Sequence, residues 1–152
     1  MEVLVEYVFG TYPSWSHLVV RIALGVIFFA HGAQKTFGWF GGHGLSATIS
    51  GFRQMNVPPA ATALAAFTEC FGGLALIVGV LARPTAIGLI LVMLVAIAKV
   101  HGKHGFFLNF SMTPGKGHGY EFNLALIALA LSILIGGAGV FSIDRLIAPF
   151  GG

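Results

Sequence analysis

Residues 122–141 read FNLALIALALSILIGGAGVF, a run of twenty positions without a charge. About 20 apolar residues are what an α-helix needs to cross roughly 30 Å of hydrocarbon. Lipid offers no partner to an irregular backbone, so each such run is expected to be a helix. Three more apolar stretches lie near 16–36, 60–82 and 84–104, and the last extends over 121–141. The expected fold is all-α: a single domain over 1–152, built as an integral membrane, antiparallel four-helix bundle.

Composition points the same way. Of 152 residues, 57% are hydrophobic and only 9% charged, against about 25% charged in soluble domains. A chain this apolar cannot cover itself with polar groups, so its first partner is the lipid bilayer. The net charge of +3 comes from scattered residues, which excludes a nucleic-acid surface and suits an anionic membrane. One cysteine, Cys70, excludes an internal disulfide, a CxxC pair and a thiolate zinc site. The first seventeen residues hold no Lys or Arg and no cleavage pattern. Helix one is therefore expected to act as its own insertion signal.

Local chemistry marks the boundaries. Ser14 or Ser16 can cap the first helix, and Pro58-Pro59 opens the second. Arg83-Pro84 reads as a very short turn between the second and third. Within 44–57, Leu45, Ile49 and Phe52 recur at helical spacing, with Ser46, Ser50, Arg53 and Gln54 off that stripe. This predicts a short amphipathic surface helix between helices one and two. A second long loop, 102–119, is rich in Gly, Lys, His and Phe. Both long connections fall on one side of the membrane. Ala75 with Gly79, and Ala128, Ser132 and Gly136, form small-residue faces for close helix packing. Excluding Lys35 and Lys99, the Lys and Arg residues divide three against three between the two sides, so the positive-inside rule leaves the orientation open.

Charges inside the spans are the informative feature, since each costs at least ~2.5 kcal/mol at mid-bilayer. Arg21, Gly25, Phe28, Gly32 and Lys35 share one narrow face of helix one, with His31 beside it. That face must look inward. Glu69 sits nine residues into the second stretch, about 13 Å deep, and must find a cation or a proton. Arg21 is the expected structural partner, with Lys35 and Lys99 as rivals. Lys99 and His101 end the third helix; Glu121 and Asn123 begin the fourth. A polar pocket near one membrane face is therefore expected, lined by His31, Gln34, Lys35, Glu69, Lys99, His101, Glu121 and Asn123. His17, His43 and His118 read as interfacial or loop residues. The same charges serve equally well as structural pairs that fix helix register. His31 and His101 also leave a haem b site open. No metal site and no catalytic motif is legible.

These stretches resemble the DoxX family. The matching segments are RIALGVIFFAHGAQK at 21–35, ECFGGLALIVG at 69–79, KVH at 99–101 and Glu121. The resemblance implies a multi-pass four-helix protein of a bacterial or archaeal cytoplasmic membrane. It also implies association with respiratory oxidoreductases, including quinone-linked thiosulfate oxidation and quinol oxidase complexes. The leading expectation is a membrane subunit of such an oxidoreductase, binding a quinone or small molecule at His31, Lys35, Glu69, Lys99, His101 and Glu121. Other membrane or redox subunits are the expected partners, and a homo-oligomer stays open. A non-enzymatic assembly subunit is the alternative, and a small transporter running from Arg21 through Glu69 to Lys35 is a third.

Overall fold

The computed structural model describes residues 2–148. Among them the regular elements are all helical: α1 (Glu2–Phe9), α2 (Trp15–Phe37), α3 (Gly44–Arg53), α4 (Pro59–Val78), α5 (Ala82–Ala96), α6 (Glu121–Gly136) and α7 (Ile143–Ile147). α5 runs on through a π-helical turn, Ile97–His101, and a 3-10 turn, Gly102–His104. Trp15–Phe37, Pro59–Val78 and Ala82–His104 are long and apolar enough to cross a membrane, whereas α6 is shorter. Their outer faces expose Val19, Val26, Leu64, Phe71, Leu91 and Leu94. So much exposed apolar surface fits lipid as the solvent.

The closest helix contact is between antiparallel α2 and α4. A Cβ on Gly25 would come within 2.8 Å of the Gly73 carbonyl oxygen. One on Gly32 would strike the Cys70 backbone, and one on Gly73 the backbone of Phe29. Such contacts require small residues on both helices. The stripe from Arg21 to Gly32 is buried as expected. Leu24, Phe28, Leu76, Leu89, Leu126 and Ile133 fill the space between α2, α4, α5 and α6.

At the end opposite the long loops, charged side chains terminate helices. Arg21 is 1% exposed. Its guanidinium donates to the carbonyls of Leu76 (2.5 Å) and Ile77 (2.7 Å) in the last turn of α4, and to Ala138 (2.9 Å) and Phe141 (3.0 Å). Arg83 does the same for α6, donating to Leu134 at 2.8 Å, Ile135 at 2.9 Å and Gly10 at 3.0 Å. Asp144 accepts from the amides of Leu81 (2.7 Å) and Ala82 (2.8 Å) where α5 begins. Each charge meets orphaned backbone groups and the opposite end of a helix dipole. Burial pushes the Asp144 carboxyl up, opposed by those two amides and by Arg21 and Arg83.

Three boundaries differ from expectation. The turn between α4 and α5 is at residues 79–81, with Gly79 at φ 78 and Leu81 at φ 51. Arg83-Pro84 instead lies in the first turn of α5, where proline needs no hydrogen-bond partner. α6 stops at Gly136 rather than running to 141, because Gly137 and Gly139 adopt φ 78 and 76. Residues 137–140 are apolar because they are buried in protein. The Gly139 amide donates to Thr11 Oγ1 at 2.7 Å and the Val140 amide to the Ser14 carbonyl at 3.2 Å. The short helices α1 and α7 lie outside the expected stretches. α3 matches: Leu45, Ile49 and Phe52 are half-buried against α2 and α4, while Ser46, Ser50, Arg53 and Gln54 are exposed.

Gly32→Ala should therefore destabilise the protein by about 1–3 kcal/mol, since the backbone it meets cannot move aside. Gly51→Ala, in α3 with nothing within 4 Å of an added Cβ, should be neutral or stabilise by up to about 1 kcal/mol. Unfolding of both variants in mixed micelles checks the pair; equal effects would contradict the α2–α4 contact.

Candidate functional site

Glu69 is paired with Lys35. The ammonium donates to Oε1 at 2.6 Å and to Oε2 at 2.5 Å. Glu69 is 1% exposed, while the Lys35 side chain is 30% exposed. Helix geometry explains the reach. Side chains tilt toward the helix N-terminus, so Lys35, near the C-terminal end of α2, leans back toward the middle of the bundle. The Thr36 hydroxyl reaches the Ala66 carbonyl at 3.4 Å, which sets Lys35 about a turn from Glu69 along the axis.

The expected pair of Arg21 and Glu69 is not formed. Arg21 binds Leu76 and Ile77, seven and eight residues along α4 from Glu69, about 11 Å at 1.5 Å per residue. The orphaned carbonyls of Leu76 and Ile77 at the end of α4, with those of Ala138 and Phe141, compete for the cation and hold Arg21 away from Glu69.

Two cavities meet at the Lys35–Glu69 pair, and Phe52 of α3 contributes to both walls. The first, about 320 Å³, is a largely apolar groove between α4 and α5, with Ala65, Gly88, Leu91 and Val95 among its lining. Leu64 and Leu91 on its rim are 69% and 57% exposed, so it opens to the outer face. The second, about 520 Å³, is beneath the 102–119 loop, between α2, α5 and α6. Its walls include Phe28, His31, His101, His118, Phe122 and Asn123.

The expected pocket residues thus divide. Lys35 and Glu69 stand at the junction; His31, His101 and Asn123 line the second cavity; Lys99 lines the first and is exposed. The π turn places Lys99 and His101 on these different walls, with the Gly102 amide returning to the Ile97 carbonyl. Gln34 is used elsewhere, donating to the Phe40 carbonyl at 3.0 Å. Glu121 turns to the loop and accepts the Leu108 amide at 2.7 Å. Both are absent from the two cavity walls.

His118, read from sequence as a loop residue, lines the second cavity. Asn109 holds it there. The Asn109 amide donates to His118 Nδ1 at 3.2 Å, and its side chain binds the carbonyls of Thr113 at 3.1 Å and Lys116 at 2.7 Å. His118 in turn presents its carbonyl oxygen to His101 Nδ1 at 2.9 Å. The Gly-His-Gly run at 117–119 was the available signal. A Cβ on Gly119 would strike the carbonyls of Gly105, Phe106 and Phe107, so the loop folds tightly on itself. Among the described residues, no group of three or more His, Cys, Asp or Glu could hold a metal ion.

The pairing makes a thermodynamic prediction. Glu69→Gln and Lys35→Gln together should lose less stability than the sum of the singles, by about 0.5–3 kcal/mol. Glu69→Gln with Arg21→Lys should be additive within about 0.5 kcal/mol. Equilibrium unfolding in mixed micelles measures both cycles; coupling to Arg21 and none to Lys35 would reverse the assignment.

Against known proteins, the DoxX family model matches residues 16–102. No curated protein and no solved structure matches the chain. The matched segment runs from the start of α2 to the end of the π turn. It takes in Arg21, Lys35, Glu69, Lys99 and His101 and leaves out α6 with Glu121 and Asn123. Because this match spans more than half of the 152 residues and includes the paired Lys35 and Glu69, the chain belongs to the DoxX family of membrane proteins.

Proposed function

We propose that this chain is a four-helix, multi-pass subunit of a bacterial or archaeal cytoplasmic membrane, associated with a quinone-linked oxidoreductase and binding a quinone at the Lys35–Glu69 junction. In this reading α6 is the fourth span. Its 16 residues reach about 24 Å, and the buried 137–140 segment completes the crossing inside protein, where irregular backbone is tolerated.

The observation that carries the proposal is the meeting of two unlike cavities at one ion pair. A quinone has a polar ring and an apolar tail. The cavity with His31, His101, Asn123, Phe28 and Phe122 suits the ring, and the groove between α4 and α5, open to the outer face, suits the tail. An ammonium has three donors; two bind Glu69, leaving one for a ring oxygen. Phe28 and Phe122 offer apolar surfaces to the ring. The donors and acceptors belong to this chain, while electron transfer would fall to partner subunits.

A structural or assembly subunit is the second reading, favoured by one fact: Arg21, Arg83 and Asp144 all serve helix ends, and Lys35–Glu69 ties α2 to α4. Ligand binding separates the two. In lipid nanodiscs, decylubiquinone at about 100 times its Kd should stabilise the protein by about 2.7 kcal/mol, a rise in Tm on the order of 5 °C. The double variant Lys35→Met, Glu69→Gln, which leaves neither member of the pair charged and unpartnered, should lose that rise. No shift in the parent protein at saturating quinone would favour the structural reading.

A further inference from the structure

The 102–119 loop has two faces. Leu108, His118 and Gly119 line the second cavity. Phe107, Phe110 and Met112 take no part in that wall and are 71%, 82% and 75% exposed. A loop in water seldom displays three large apolar side chains in one short segment, and such a patch marks a contact with protein or with lipid.

The display is built into the loop. Asn109 is buried, and its side chain accepts the Thr113 amide at 3.1 Å and donates to the carbonyls of Thr113 at 3.1 Å and Lys116 at 2.7 Å. Drawing residues 109, 113 and 116 together leaves 110–112 exposed on the outside of the turn. Met112 takes φ 49 there, a left-handed conformation unfavourable for any residue with a side chain. Hydrogen bonds around Asn109 thus hold the apolar tip out against a local cost.

Position and charge identify what the tip meets. The apolar span Ala82–His104 ends just before Phe106 and Phe107. The chain then folds back along the start of α6: the amides of Gly119, Tyr120 and Glu121 donate to the carbonyls of Phe107 at 3.1 Å, Gly105 at 3.1 Å and Phe106 at 2.9 Å. The loop therefore leaves the bundle at the bilayer boundary. α2, which runs the same way as α5, ends at the exposed Phe37, Trp39 and Phe40, and tryptophan concentrates at that depth. Residues 102–119 hold Lys103 and Lys116, both exposed, and no Asp or Glu. Lysine beside exposed phenylalanine is the composition of an interfacial anchor, and basic segments next to a span are drawn to acidic lipids. A second copy of the loop would set like charge against like charge.

We propose that the 102–119 loop is an anchor for acidic phospholipid. Phe107, Phe110 and Met112 enter the top of the acyl layer, and Lys103 and Lys116 lie among the headgroup phosphates. The proposal goes beyond the quinone reading and needs neither cavity to be filled.

The test uses the full chain in vesicles, with Trp15→Phe and Trp39→Phe removing both native tryptophans and Phe110→Trp as reporter. In phosphatidylglycerol its emission should be blue-shifted and quenched by lipid brominated near the top of the acyl chains, but not by acrylamide. Replacing that lipid by phosphatidylcholine, or adding Lys103→Gln and Lys116→Gln, should lower the ratio of seated to free loop about fivefold for each lysine. Quenching by acrylamide in both lipids would overturn the anchor. So would shielding from acrylamide and brominated lipid alike, which would put the tip against protein. Bromine quenching equal in both lipids and unchanged by the lysine variant would overturn the assignment to acidic lipid. Phe107→Trp is an independent reporter if Phe110→Trp does not fold. In the parent protein, hydrogen exchange of residues 110–116 should be slower in phosphatidylglycerol nanodiscs than in phosphatidylcholine ones; equal rates would overturn the proposal without any substitution.

Discussion

The structure depends on the close approach of α2 to α4. Gly25, Gly32 and Gly73 let the two backbones touch, and in lipid such packing is a main source of helix association. The contact also sets the register. With Gly25 against Gly73 and Gly32 against Cys70, Arg21 meets the last turn of α4 and Lys35 leans onto Glu69. A shift by one turn would take the guanidinium from the orphaned carbonyls and the ammonium from the carboxylate. Packing, helix capping and ion pairing therefore all specify one alignment, and agreement between levels of this kind is what makes a fold unique.

The charged groups divide into two functional classes by position. At one end, Arg21, Arg83 and Asp144 terminate α4, α6 and α5. Bulk water is remote from helix ends buried in protein, and a side chain carrying the opposite charge is the available substitute. At the other end, Lys35 and Glu69 satisfy each other and face open space on two sides. The first group is engaged by the protein's own backbone at helix ends. The second retains a donor direction.

Much of this was legible in the sequence. The three long apolar helices, the half-buried stripe of α3 and the inward face from Arg21 to Lys35 follow from periodicity and from the cost of charge in lipid. Periodicity could not identify the partner of Glu69. Depth along a helix was readable, but competition from the carbonyls of Leu76 and Ile77 appears only once α4 is seen to end at Val78. The run at 122–141 misled for a related reason. Apolar residues serve a lipid-facing helix and a protein-buried loop equally well, and the positive φ of Gly137 and Gly139 decided between them. His118 and Asn109 were missed because their roles arise from contacts inside the 102–119 loop, which has no repeating pattern to read.

The central claim is that the two cavities form one ligand site joined at Lys35 and Glu69. A density map of the protein extracted in native lipid, without added ligand, tests it most directly. The account predicts a planar ring density beneath the 102–119 loop beside the Lys35–Glu69 pair, with a tail leaving between α4 and α5. Side chains of a companion subunit or of a second copy filling the two cavities would contradict it.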